Sequence, residues 1–177
     1  DPHVDLIVEK LTQKHYQFTR FNTEDFPLRA DIQIQFNPEY RTLLNLPNNP
    51  PLLGENITSV WYRRPAPNEF PTKFNAATRS FAEQETRDFL RGLWELFRVT
   101  WVNHPEDNRR ANVKIHQLKL AHEIGLFIPD TIVTNNPEQA KDFYRLHQGN
   151  IIIKPLSRGI YEDPDNPKGI YTNTVTD

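Results

Sequence analysis

Residues 57–102 read ITSVWYRRPAPNEFPTKFNAATRSFAEQETRDFLRGLWELFRVTWV, and this stretch decides the fold. Its second half predicts a helix over residues 76–98, because apolar side chains recur there at intervals of three and four: Phe81, Phe89, Leu90, Leu93, Trp94 and Phe97. Segments at 57–62 and 101–102 flank that helix and predict one strand on either side of it. A strand, a helix and a second strand in this order favour an open α/β sheet.

The segments before this stretch fit the same architecture. An apolar stripe predicts a first helix that begins near Pro2, and a short extended piece follows at 16–21. Apolar and polar residues alternate over 30–36, which predicts a half-buried strand. The prolines and asparagines of residues 37–55 predict a loop that leads back to the sheet.

The pattern changes after residue 102. Apolar spacing predicts a helix over 107–124, and Gly125 is placed to end it in a left-handed conformation. The remaining sequence predicts, in order, a strand at 128–134, a helix at 137–146, a buried strand at 150–154, a polar segment at 157–167 and a strand at 169–175. We interpret this part as the opening of a second, α+β unit.

Composition excludes several classes of function. The 177 residues include 21 Lys and Arg against 23 Asp and Glu, and a net charge of −2 disfavours nucleic acid as a partner. The chain has no cysteine, which excludes disulfides, zinc–thiolate sites and a cysteine nucleophile. Apolar runs such as 151–153 are far too short to cross a membrane. Because the chain also lacks methionine, we expect a segment to precede residue 1.

Two lysines are the first candidate site residues. Lys154 follows three isoleucines at the end of a predicted buried strand, and Lys114 lies within a predicted helix beside Ile115. A buried ammonium needs an anionic partner, because desolvation without one is costly. The alternative is that each stem lies along the core while its ammonium stays in water. The sequence leaves both interpretations open.

The segment after Lys154 supplies further candidates. Ser157, Arg158 and Gly159 offer a hydroxyl, a guanidinium and an unhindered backbone N–H, which together can cover a phosphate chain. Neither the P-loop pattern nor a G-x-G-x-x-G pattern is present in the sequence. A polar surface loop explains the same three residues equally simply.

The run Trp61-Tyr62-Arg63-Arg64 stands at the end of a predicted strand. At the carboxyl edge of a parallel sheet such residues often face a ligand, so Arg63 and Arg64 are candidates for binding substrate. The alternative is that an aromatic ring packs in the core while an arginine pairs with a carboxylate of the following helix. The six histidines show no metal-ligand spacing, no carboxylates form an evident acid–base pair, and no catalytic residue is assigned.

Taken in order, six strings in the sequence resemble the ATP-grasp enzymes. The three that are typical of ATP-grasp ligases in general are Asn112-Val113-Lys114, the GLFIPDT string at 125–131 and Ile153-Lys154-Pro155-Leu156. The FNTEDFP string at 21–27, the VWYRRP string at 60–65 and Trp101-Val102-Asn103 resemble a subgroup, the ribosomal-peptide maturases that include the microviridin macrocyclases. The resemblance covers nearly the whole chain.

The resemblance implies a fold and a set of binding residues. Residues 1–106 would form a Rossmann-like pre-ATP-grasp domain that lacks its first strand, and residues 107–177 a linker helix and an incomplete α+β central subdomain. By match of position, Lys114 and Lys154 would contact the phosphates of ATP. Ser157, Arg158 and Gly159 would belong to a loop that covers the nucleotide.

The resemblance also implies an activity. Such ligases are cytoplasmic enzymes that activate Asp or Glu side chains of a ribosomal precursor peptide, with its leader and core, as acyl phosphates. A Ser or Thr hydroxyl or a Lys amine then forms an ester or amide crosslink. Mg²⁺ would accompany ATP, with ligands expected beyond Asp177, so we expect these 177 residues alone to be inactive. A homodimer is left open.

Two other functions stay open on the sequence alone. One is an ATP-grasp ligase with a different substrate, of the glutamate-adding or glutathione type. The other is a non-catalytic module that binds a peptide without any nucleotide. Nucleotide binding would distinguish the ligases from the peptide-binding module. The identity of the substrate would distinguish the two kinds of ligase.

Overall fold

The computed structural model describes residues 2–157, 160–161, 168–169 and 171–175. The chain divides into two compact units, Asp1–Pro105 and Glu106–Asp177. We describe each unit by itself.

The first unit combines two helices with five strands. Two short 3₁₀ turns, Thr23–Asp25 and Gly54–Asn56, connect some of these elements. In chain order the elements are α1 (Pro2–Gln13), β1 (Asp31–Gln35), β2 (Arg41–Asn45), β3 (Leu52–Leu53), β4 (Ser59–Trp61), α2 (Ala76–Leu96) and β5 (Thr100–Val102).

The parallel pair β4–β5 and helix α2 confirm the α/β fold class. Val60 lies opposite Trp101 in the parallel register. The Asn75 side chain accepts a hydrogen bond of 2.8 Å from the Thr78 backbone N–H, so the helix begins where its first free N–H groups are capped. The predicted apolar stripe faces the core from Phe89 onward, and Leu93 is fully buried there, whereas Phe81 at its start is 66% exposed. Around Leu93 the core contains Ala30, Leu44, Leu46, Leu90, Trp94 and Phe97.

The segment 37–55 is not simply a loop, and that prediction is wrong. It contains β2 and β3, and strands β1, β2 and β3 form an antiparallel sheet in that order. Thr42 and Leu44 alternate with more exposed residues and are buried, which is the pattern of a half-buried strand. The prolines that favoured a loop lie outside the two strands, so they end the strands rather than prevent them.

The second unit is built from short elements. Its strands β6 and β9 pair antiparallel, and so do β7 and β8. The elements are α3 (Pro105–Ala111), α4 (Lys114–Glu123), α5 (Pro137–Leu146), β6 (Ile152–Ile153), β7 (Ile160–Tyr161), β8 (Lys168–Gly169) and β9 (Asn173–Thr174). None of the second-unit side chains whose exposure the structure describes, at 106–157, 169 and 171–175, is fully buried.

The single helix predicted over 107–124 is instead the two helices α3 and α4. Val113 separates them with an extended backbone, at φ −77° and ψ 102°, which no helical residue adopts. Lys114 therefore begins a helix instead of lying inside one. Gly125 ends α4 with φ +74°, and the Leu126 N–H donates to the Ala121 carbonyl at 2.9 Å. This is the predicted left-handed cap.

Three strand predictions in this unit need correction. Residues 128–134 form no strand, because Pro129 has no N–H to donate and its carbonyl accepts from the Thr131 hydroxyl instead. The strand expected at 150–154 is only β6. Residues 169–175 hold the ends of two different strands, β8 and β9, which belong to separate sheets. Helix α5 has the predicted bounds.

Among the described residues, no helix is long and apolar enough to cross a membrane.

Candidate functional site

Lys114 lies at the first turn of α4, and its ammonium contacts a distant segment of the same unit. Its Nζ donates hydrogen bonds to the backbone carbonyls of Pro155 and Ser157, the second at 2.9 Å. The side chain is half-buried. An anionic partner was expected for a buried Lys114, and among the described residues its ammonium instead contacts two neutral carbonyl groups. An ammonium has three N–H groups, so one remains for a further acceptor.

Lys154 directly follows β6, and its side chain is exposed. The sequence predicted that Lys154 ends a buried strand, and this prediction is wrong, because Ile152 and Ile153 are 55% and 59% exposed. Among the described residues, strand β6 pairs only with β9. The Lys154 ammonium has no ion pair or hydrogen bond among the described residues, and its charge faces solvent.

The structure brings the segment from Lys154 to Ser157 to the start of α4 through the Lys114 contacts. Ser157 is exposed. Arg158 and Gly159, the other two residues predicted to cover a nucleotide, lie outside the described residues. Across the described part of the chain, no group of three or more His, Asp or Glu side chains is placed to hold a metal ion.

The end of β4 is the other candidate site, and it lies in the first unit. The Tyr62 N–H donates to the Val102 carbonyl at 2.9 Å, so the hydrogen bonding between β4 and β5 continues one residue past the end of β4. The Tyr62 ring packs edge-on against Trp94, with ring centroids 6.1 Å apart, and burial raises the pKa of its hydroxyl. Tyr62 therefore belongs partly to the core.

The neighbours of Tyr62 face outward. Trp61 is 40% exposed, and the Arg63 guanidinium lies 5.9 Å from the centre of its ring, within the range of a cation–π contact. Arg63 Nη2 lies 3.2 Å from His3 Nδ1 on α1. Because arginine only donates, Nδ1 of His3 accepts in this contact. Arg64 is exposed and has a left-handed backbone, at φ 40°.

Sequence reasoning missed His3 and one ionic cluster. Arg29 forms ion pairs of 2.6 Å with both Asp25 and Glu69, and the hydrogen bond from Arg29 holds the pKa of Asp25 below its usual value. Asp25 and Arg29 carry opposite charges four residues apart, so their ion pair could have been predicted from the sequence. Neither Glu69 nor His3 carries a local signal, because each meets its partner across 40 or more residues.

A family model described as the MvdD pre-ATP grasp domain matches residues 1–109. This match covers the whole first unit, with the β4–β5 edge and the Asp25–Arg29 cluster. No curated protein matches the chain.

Solved structures extend the likeness beyond residue 109. A RiPP-associated ATP-grasp ligase from Chryseobacterium gregarium, in complex with ADP and a leader and core peptide, is 30% identical with a TM-score of 0.86. The match covers 98% of this chain and 52% of that one. The macrocyclase MdnB from Microcystis aeruginosa MRC is 31% identical with a TM-score of 0.79, over 97% of this chain and 56% of that one.

A third structure has the same fold at lower identity. It is the macrocyclase MdnC from Microcystis aeruginosa MRC, bound with precursor peptide MdnA, at 24% identity and a TM-score of 0.89. The match covers 99% of this chain and 58% of that one. The chain thus spans somewhat more than half the length of the ligases that it matches.

Proposed function

The chain belongs to the family of the MvdD pre-ATP-grasp domain, and from this premise we propose that the protein is part of an ATP-dependent ligase that modifies a ribosomally made peptide. The observation that carries the proposal is the placement of Lys154 and Ser157 on a segment that Lys114 holds at the start of α4. The likeness to a ligase that was crystallised with ADP and with a leader and core peptide supports it.

The proposed reaction has two steps. A carboxylate oxygen of an Asp or Glu side chain of the peptide attacks the γ-phosphorus of ATP, and ADP leaves. A Ser or Thr hydroxyl, or a Lys amine, then attacks the carbonyl carbon of the acyl phosphate, and inorganic phosphate leaves. The product is an ester or an amide crosslink within the peptide.

The described lysines fit the phosphates of ATP. Phosphoryl transfer depends mainly on positioning and on stabilisation of negative charge, so cations beside the phosphates are what this chemistry requires. Lys154 offers an exposed ammonium with no partner among the described residues, and Lys114 offers one N–H beyond its two carbonyl contacts. We assign Ser157, Arg158 and Gly159 to the loop over the nucleotide. No role in binding Mg²⁺ is proposed for the described residues, because they form no suitable cluster.

The β4–β5 edge is proposed to contact the peptide. Exposed Trp61 and the guanidinium of Arg63 beside it form a surface of the kind that binds acidic and aromatic side chains. Arg64 adds a second cation at the same strand end. These side chains lie where ligands bind on parallel sheets, outside the carboxyl ends of the strands.

Nucleotide titration of the full-length protein tests the nucleotide site. Loss of the Lys154 ammonium by Lys154→Ala is expected to weaken ATP binding about 10- to 100-fold, the range that one hydrogen bond to a charged group accounts for. Lys141→Ala is the matched control, since Lys141 is an exposed lysine of the same unit paired with Glu138 on α5.

Two results would contradict the proposal. Equal ATP affinity in wild type and Lys154→Ala would remove Lys154 from the site. A protein that binds a leader-like peptide but no nucleotide would be a peptide-binding module and no ligase. If ATP binds, mass spectrometry of a precursor peptide with Thr and Glu or Asp decides the substrate, because each crosslink removes one water.

A further inference from the structure

The Lys114 contacts join the start of α4 to the segment that follows β6 in the second unit. Its ammonium lies between the carbonyls of Pro155 and Ser157, which are two residues apart and converge on one cation. Both contacts are made to backbone, so they fix the path of the chain and not the identity of its side chains. The residue between them, Leu156, is 53% exposed, so its own burial is only partial.

We propose that Lys114 is a positioning residue, which holds the backbone of 155–157 at the start of α4 and thereby presents Lys154 and Ser157 to the nucleotide before it arrives. This inference rests on the proposed function above. It differs from a purely phosphate-binding role, because most of the hydrogen-bonding capacity of Lys114 is used within the protein.

Neighbouring residues favour such an anchor. Pro155 has no N–H and restricts Lys154 to extended backbone, so the chain between β6 and Ser157 has few donors with which to fix itself. A compact ammonium with three donors can contact two carbonyls at once and keep a third donor free. The half-burial of Lys114 strengthens these contacts relative to the same contacts in water.

An anchor of this kind has a kinetic signature. If the segment is placed before ATP binds, then loss of the anchor lowers the fraction of molecules that are competent to bind. The apparent KM for ATP then rises, while kcat at saturating ATP changes little, because bound nucleotide selects the competent arrangement. A group that acts mainly on the transferred phosphoryl group would instead lower kcat.

The test uses the full-length protein, with Lys114→Met as the variant and Lys119→Met as its control. Lys119 lies on the same helix and pairs with Glu123, so the control removes a lysine without touching the segment 155–157. The order parameters of the Leu156 and Ser157 backbone amides are measured by NMR relaxation without nucleotide. We expect Lys114→Met to lower them from about 0.85, the value of rigid backbone, to below about 0.6, and Lys119→Met to leave them unchanged. The KM for ATP should rise about tenfold with kcat within about twofold.

Two results separate this inference from the proposed function. Unchanged order parameters at 156–157 with a fall in kcat would overturn the anchor and leave the nucleotide site standing. Lowered order parameters in Lys114→Met, in a protein that binds no nucleotide even as wild type, would keep the anchor and overturn the function. If Lys114→Met also loosens α4 and α5, Lys114→Arg decides. Its retained cation should return the order parameters toward wild type, and failure to do so overturns the anchor.

Discussion

The substitution Leu93→Ala tests whether the first unit depends on the apolar stripe of α2. Leu93 is fully buried, and its removal deletes three carbon atoms from the core. Lost transfer free energy is about 0.8 kcal/mol for each carbon, or about 2.4 kcal/mol, before the cost of the cavity. Rigid aromatic rings such as Trp94 and Phe97 share this core and collapse poorly into a cavity. We therefore expect a loss of about 3–5 kcal/mol in the free energy of unfolding.

Tryptophan fluorescence in a urea titration measures this loss in the first unit alone. All three tryptophans, Trp61, Trp94 and Trp101, lie in Asp1–Pro105, so the signal reports that unit. The control is Phe81→Ala on the same helix, where a 66% exposed ring is expected to change stability by less than about 0.5 kcal/mol. A loss below about 1 kcal/mol for Leu93→Ala, at an unchanged m value, would refute the placement of the core.

Two further predictions concern single backbone and charge features. Gly92→Ala on α2 should stabilise by about 0.5–1 kcal/mol, because the added Cβ meets no atom within 4 Å and helix propensity rises. In Gly125→Ala the added Cβ also meets no atom within 4 Å, but the substitution should lower the free energy of unfolding by about 1–2 kcal/mol, because φ is +74° there. Urea titrations followed by circular dichroism measure both changes in stability. Changes of the same sign would contradict the left-handed cap at Gly125. Asp25→Asn should lower stability at pH 7, because Arg29 lowers the pKa of Asp25 and so stabilises the fold above the unfolded pKa of about 3.9. That difference should shrink as the pH falls below about 4, and a difference that does not change with pH there would rule out the ion pair as its source.

Several elements could be predicted because buried apolar residues recur in the sequence at the period of the helix or strand that they form. The stripe of α2 gave the start of that helix at Ala76, and the alternation around Ile32 and Ile34 gave β1 to within one residue at each end. Gly125 marked the end of α4, since a left-handed residue there is most easily glycine. In each case the spacing of apolar residues or a single backbone conformation involves only a few neighbouring residues, so a short stretch of sequence is enough to predict it.

The wrong and missing predictions have causes of different kinds. Strand β2 has five residues and lies between prolines, so its alternation is too short to outweigh the turn-forming residues around it. The break at Val113 follows no glycine or proline, and the apolar spacing of 107–124 continues across it. Sequence identified Lys114 and Lys154 as candidates, but it gave no indication that Lys114 contacts the carbonyls of Pro155 and Ser157, 41 and 43 residues away.

The two units differ in how far they bury their side chains, and this difference explains the wrong predictions in the second unit and the importance of Lys114. The first unit has a core, so its hydrophobic pattern specifies its elements. No second-unit side chain is fully buried at 106–157, 169 and 171–175, and large apolar residues such as Phe127 and Leu146 are 94% and 75% exposed. Burial is the main term that offsets chain entropy, so polar contacts carry more of the local order where burial is lacking. An ammonium that joins α4 to the segment after β6 therefore has more effect in this unit than a lysine of the same exposure would have beside a packed core.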